Sequence, residues 1–164
     1  MKRKQLQDYL KRKDIVIEGN VSTWNVTTIG NVQGTYTGQF RFKCFLTPTE
    51  KLAAGRDYRA LIGPNPVGVL ENEENIAFSL SQLKYRILKA PPFWSSATGL
   101  DGFAGDLPDE NVINVVLEAA LASEFKYAAM LENRKEDSIK KAKKAAEKIA
   151  ENAEEDEDED DSES

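Results

Sequence analysis

The stretch Gln39–Gly63 constrains this chain more than any other. In Gln39-Phe-Arg-Phe-Lys-Cys-Phe-Leu46, Phe40, Phe42, Cys44 and Leu46 alternate with Arg41 and Lys43. That is the period of a strand with one buried face. Thr47-Pro48-Thr49-Glu50 follows at once. It offers a capping hydroxyl, a proline at the first helical position and a glutamate three residues past the cap, which together open a helix. Leu52, Ala53, Tyr58, Leu61 and Ile62 predict the apolar stripe of that helix, and Gly63 before Pro64 predicts its end. A strand running into a capped helix needs partners for two apolar faces, so the rest of the chain must supply a core.

The flanking sequence predicts how. Ile15–Ile17, Val21–Ile29 and Thr35–Leu46 read as a three-stranded antiparallel meander, with turns at Gly19-Asn20 and at Gly30-Asn31 to Gly34 and a possible bulge at Gly38. A second helix is expected over residues 71–89, with Ile76, Leu80, Leu83 and Ile87 as its stripe and Lys84, Arg86 and Lys89 as a basic end. Pro91-Pro92 stops it and presents Phe93 and Trp94 from a rigid segment. These two rings either cover the edge of the core or anchor a partner. Residues 95–108 read as a loop. A long helix opens at Pro108-Asp-Glu; it is apolar nearly all round through Val112, Ile113, Val115, Val116, Leu117, Leu121 and Phe125, and polar from Lys126.

Charge separates the ends from the middle. Residues 151–164 hold ten acids and no base, so 1–150 carry all 22 basic residues and 18 of the 28 acids. Residues 2–13 predict a short basic helix with Leu6, Tyr9 and Leu10 on one face, docking on the body or on a partner. Residues 132–150 predict an exposed helix bearing Lys140, Lys141, Lys143, Lys144 and Lys148; Ile139, Ala142, Ala146, Ile149 and Ala153 keep a three-to-four spacing, but two heptads of mostly alanine are too few and too small for a coiled coil. The acidic tail is expected to be disordered.

The expected fold class is α+β. An N-terminal antiparallel β-meander packs against about three helices, followed by a C-terminal helical extension and an acidic tail. The expected division is a basic helix over 1–14, a core domain over 15–131, a charged extension over 132–150 and a tail over 151–164.

Several chemistries are excluded. With no histidine, Ser–His and Cys–His nucleophiles and histidine metal sites are impossible. The single cysteine, Cys44, permits no internal disulfide, and its place in the strand predicts a buried thiol. The glycines at 30, 34 and 38 do not meet a helix N-terminus, so they make no phosphate loop. Asp101, Asp106, Asp109 and Glu110 fail the EF-hand spacing and fit a turn and a helix start. No cofactor, metal or small-molecule substrate is implied. No apolar run reaches a membrane span, and no secretory core follows the basic start, so the chain is expected in the cytosol of its host cell.

Phe40-Arg-Phe-Lys-Cys-Phe-Leu-Thr-Pro48, Arg56-Asp-Tyr-Arg-Ala-Leu-Ile-Gly-Pro-Asn-Pro66 and Phe78-Ser-Leu-Ser-Gln-Leu-Lys-Tyr-Arg-Ile-Leu-Lys-Ala-Pro-Pro-Phe-Trp94 resemble small structural or tail-assembly proteins of tailed bacteriophages. The resemblance spans about residues 36–130. It implies a non-enzymatic role in virion assembly, as a tail assembly chaperone or a minor virion component, in the host cytoplasm or the particle. The partner would then be another phage structural protein, or a second copy of the chain. The residues expected to carry contact are Phe93, Trp94, Lys140, Lys141, Lys143 and Lys144. The alternative is a nucleic-acid-binding module regulated by its acidic tail, although the chain lacks the aromatic–basic interleaving of a single-strand platform. A carboxylate hydrolase would need two facing acids in a cleft.

Overall fold

The computed structural model describes residues 3–32, 34–65, 67–94, 107 and 109–158. The fold is α+β. Helix α1 (Arg3–Lys11) leads into strands β1 (Ile15–Glu18), β2 (Val21–Ile29) and β3 (Thr35–Lys43), then α2 (Pro48–Ile62), α3 (Glu71–Arg86), β4 (Ile87–Lys89) and α4 (Glu110–Asp158). The strands form one antiparallel sheet in the order β1-β2-β3-β4.

The expected alternation places Phe40 and Phe42 on the inner face, and Cys44 and Leu46 continue it beyond the last strand residue; all four are buried. From β2, Ser22, Trp24 and Val26 join the same face. Phe40 and Phe42 stack nearly parallel with ring centres 5.5 Å apart, and Trp24 stacks on Phe40 at 5.9 Å. The first turns of α4 contribute Val112, Ile113, Val116, Ala119, Ala120 and Ala122 to the same core. Their three-to-four spacing is one helical stripe, and alanine along it permits close approach. Ser123 from α4 meets Ser22 from β2, hydroxyl to hydroxyl, at 2.7 Å.

The sheet has a fourth strand where the sequence predicts the end of a helix. α3 stops at Arg86, and Ile87–Lys89 pair with β3. The physical reason lies just beyond, in Pro91-Pro92: Ala90, preceding a proline, is pushed away from helical geometry, and β3 would otherwise present an unpaired edge. Gly38 is not a bulge. It pairs regularly with Val26, and the irregularity falls at Arg41/Phe42 opposite β4. Gly38 is required because Pro91 lies directly over it, and a Cβ there would run into the proline ring.

Trp94 has 0% of its surface exposed and stands edge-on to Phe40 at 5.4 Å, while Phe93 is half-buried against Tyr36 and Phe40. Of the two readings of the Pro-Pro-Phe-Trp corner, burial selects the core. Trp94 is not a surface anchor.

α2 begins with the expected capping box: the Thr47 hydroxyl accepts from the Glu50 amide, and the Glu50 carboxylate accepts from the Thr47 amide. It ends at Gly63, whose φ of 81° suits glycine. The expected stripe on this helix is only partly right. Ala54 is its buried residue and Tyr58 is half-buried, but Leu52 is 71% exposed and Leu61 44%. The helix packs chiefly against α3, and Leu52 and Leu61 face outward.

α1 docks on the body, one of its two expected placements. Tyr9 is buried and stacks on Phe125 of α4 at 6.0 Å, and the guanidinium of Arg12 lies 5.5 Å from the Trp24 ring. Two compact units divide at residue 127/128, Met1–Tyr127 and Ala128–Ser164; the expected boundary at 131/132 falls one helical turn later. Helix α4 is continuous across this division. It also runs to Asp158, past the start of the segment expected to be disordered. Alanine, lysine and glutamate from 140 to 158 are strong helix formers, which outweighs the unfavourable acids in its last turn. Residues 159–164 of the acidic tail, and most of the expected loop over 95–108, lie outside the described residues.

Replacing Trp94 by alanine is expected to destabilise the protein by about 3–5 kcal/mol in urea unfolding. Leu52→Ala, on the misread stripe, is expected to change stability by less than about 0.5 kcal/mol. Equal effects would contradict the placement of these two side chains.

Candidate functional site

Three polar links hold the elements around the core. At one end of the sheet, Asp109, just before α4, reaches back to the β2–β3 turn. Its carboxylate accepts from the amides of Asn31 (2.7 Å) and Val32 (3.0 Å) and from the Tyr36 hydroxyl (3.2 Å). Burial and the Asp109 carboxylate raise the Tyr36 pKa. The acids considered for calcium thus resolve differently: Asp109 is a hairpin lock, and Asp101 and Asp106 lie outside the described residues. Among the described residues, no group of three or more cysteine and carboxylate side chains is placed to hold a metal ion.

The second link is Arg86 at the end of α3. It is buried, donating to the Cys44 carbonyl at 3.0 Å and pairing with Glu124 of α4 at 2.7 Å. Its Nε has no acceptor among the described residues. Beside it, burial pushes the Cys44 thiol up to about 11, so this cysteine is a neutral core group at physiological pH.

The third link joins α2 to α3. One carboxylate oxygen of Asp57 accepts from Lys84 Nζ and from the Tyr85 hydroxyl, both at 2.9 Å. Hydrogen bonds from Lys84 and then Tyr85 hold the Asp57 carboxyl below its usual value. The basic end of α3 is therefore not a cationic patch. Lys84 is engaged by Asp57, Arg86 is buried on Glu124, and only Lys89 stays exposed on β4.

Between α3, the end of α2 and the start of α4 lies an open groove of about 240 Å³. Leu61, Ile76, Ala77 and Leu80 supply its apolar lining, and Asn72, Glu73 and Glu110 its polar one. Glu73 also accepts from the Leu70 amide at 3.0 Å, so it helps to start α3. Leu61, Leu70 and Phe78 are all exposed on these elements. Such a surface suits an apolar side chain on a segment that carries positive charge, which the flanking carboxylates would meet.

In the second compact unit, Lys140, Lys141, Lys143 and Lys144 are exposed on α4 together with Asp137 and Glu147. The structure brings these four lysines together on one helical segment, as the sequence predicts. Phe93 and Trp94 belong to the core.

Sequence reasoning missed Asp57 and Glu124, and it named Leu61 only as helix stripe and Asp109 only as a helix start. Only Asp109 carries a local signal, as an aspartate immediately before a helix. The others depend on which helix lies alongside.

No family model matches the chain, and neither a curated protein nor a solved structure matches it. Among the described residues no helix is long and apolar enough to cross a membrane.

The folded pKa values of Asp14, Glu50 and Asp57 lie below the ordinary 3.8 and 4.5, chiefly through hydrogen bonds from Arg12, Lys43 and Lys84 respectively. These carboxylates therefore stabilise the fold fully above those ordinary values, and the contribution is lost as pH falls through the lowered ones. Asp57 is partly solvated, so Asp57→Asn is expected to remove no more than about 1 kcal/mol at neutral pH. It should also flatten the loss of stability below about pH 4.5, as followed by urea unfolding at stepped pH. Glu124→Ala leaves Arg86 buried without its carboxylate and is expected to destabilise by about 3 kcal/mol in the same assay.

Proposed function

We propose that this chain is a non-enzymatic assembly protein that holds an apolar, positively charged segment of another protein in the groove between α2 and α3. The observation that carries the reading is that groove. Leu61, Ile76, Ala77 and Leu80 form its apolar lining while Glu73 and Glu110 line it with carboxylates. The elements that frame it are fixed by the Asp57–Lys84 pair, so the site is preorganised and little ordering opposes binding.

The resemblance of residues 36–130 to tailed-phage proteins supports a partner within a virion, and a role like that of a tail assembly chaperone. A chaperone of this kind shields an apolar segment until the segment assembles. It acts in the host cytoplasm, and the acidic tail favours solubility. The lysines of α4 lie beside Asp137 and Glu147, a mixed field that favours a protein partner over a nucleic acid.

Fluorescence anisotropy with two labelled amphipathic helical peptides tests the reading. A leucine–lysine peptide is expected to bind and its leucine–glutamate counterpart to bind at least tenfold more weakly. Leu61→Asp, at an exposed position that leaves the core intact, is expected to weaken the first by about tenfold, or about 1.4 kcal/mol. Equal affinity for both peptides, or unchanged affinity in the variant, would remove the groove from the function. Binding of a single-stranded oligonucleotide at moderate salt, with no peptide binding, would favour nucleic-acid recognition instead. A photo-crosslinking residue at position 61 in a chain produced with its virion genes is expected to capture a structural protein of the particle.

A further inference from the structure

We infer that the groove lined by Leu61 and Leu80 is filled, when no other partner occupies it, by residues 131–139 of a second copy of the chain. The inference rests on the groove reading above and names one occupant for it.

The occupant is a described surface of α4. Leu131, Arg134, Lys135, Ser138 and Ile139 lie together on it. They recur at three- and four-residue spacing, so one helix face carries them. Ile139 is 56% exposed, and Leu131 is half-buried. The Ser138 hydroxyl already donates to the Arg134 carbonyl of its own helix at 2.8 Å. The face is therefore aliphatic, with two cations set into it.

The groove is the counterpart of that face. Leu61, Ile76, Ala77 and Leu80 line it with apolar surface, and Glu73 and Glu110 with carboxylates. Among the described residues, none of Glu73, Glu110, Arg134 and Lys135 takes part in an ion pair. An apolar cavity of about 150 Å³ takes a benzene ring. A groove of about 240 Å³ thus admits one branched side chain such as that of Ile139. Arg134 and Lys135, in the turn before it, then face Glu73 and Glu110 at the rim, where charge pairs orient the contact.

Glu110 of the groove and Leu131 of the patch lie 21 residues apart on one unbroken helix, so patch and groove meet between copies. The two surfaces differ, which makes the contact heterologous; it closes as a dimer when two copies exchange patches. One inserted side chain makes a small, reversible contact. The second copy keeps water from the groove and gives way when a segment of another protein arrives.

Sedimentation equilibrium of the full chain tests this, with binding of the leucine–lysine peptide measured beside it. Reversible self-association is expected. An aspartate placed in the contact by Ile139→Asp or by Leu61→Asp is expected to weaken it at least tenfold. Both positions are exposed, and circular dichroism checks that each variant folds. Mixing the two variants is expected to restore association, because the groove of the first takes the patch of the second. If either variant fails to fold, charge reversals replace the pair: Arg134 and Lys135 changed together to glutamate, and Glu110→Lys. Each alone is expected to weaken association, and their mixture to restore it. A monomer at every concentration would overturn the inference. The groove reading then stands if the peptide binds the unaltered chain and not Leu61→Asp, and falls as well if the peptide does not bind. Association lost in Ile139→Asp but kept in Leu61→Asp would mean patch against patch, and the reverse would mean groove against groove. Either pattern, or a mixture that stays monomeric, would also overturn it.

Discussion

The aromatic inner face of β3 is what the rest of the fold depends on. Phe40 and Phe42 lie nearly parallel, and Trp24 and Trp94 close on Phe40 from two directions. Burying rings of this size contributes about 1.5–3 kcal/mol each, and α1, α3, α4 and the segment ending at Trp94 all add side chains to the core around them. The alanine-rich stripe of α4 covers the sheet. The Pro91-Pro92 segment brings Phe93 and Trp94 over β3, and Gly38 lets that segment come close enough.

Polar groups then determine which arrangement of the covering elements is adopted. Asp109 ties the start of α4 to the β2–β3 turn, the Ser22–Ser123 bond fixes the height of that helix on the sheet, and Arg86 joins the end of α3 to both Cys44 and Glu124. Breaking one partner of a buried pair leaves a desolvated group behind, so these links select one packing more than they add to its stability. Arg86 holds the end of α3, and Asp57 joins α2 to α3 beside the groove that Leu61 and Leu80 line.

Contact surfaces and core are thereby separated. Most large aromatics go inward, Phe78 excepted, and the groove beside α3 is lined by aliphatic side chains and carboxylates. The C-terminal half of α4 has a different character. It has little apolar bulk and a strong charge pattern.

Much of the fold was legible because its signals are local. Alternation at Phe40, Phe42, Cys44 and Leu46 stated which face is buried. Thr47-Pro48-Thr49-Glu50 and Gly63 marked both ends of α2, and the three-to-four spacing from Val112 marked the buried part of α4. Charge bands along residues 140–158 were likewise readable without coordinates. Such features express backbone conformation and linear charge order, which neighbours within a few residues determine. The burial of Trp94, the exposure of Leu52 and Leu61, the strand at Ile87–Lys89 and the reach of Asp109 to Tyr36 were decided only by the tertiary structure. In each case the deciding neighbour lies tens of residues away, and an apolar side chain becomes core or contact surface according to whether another element happens to cover it.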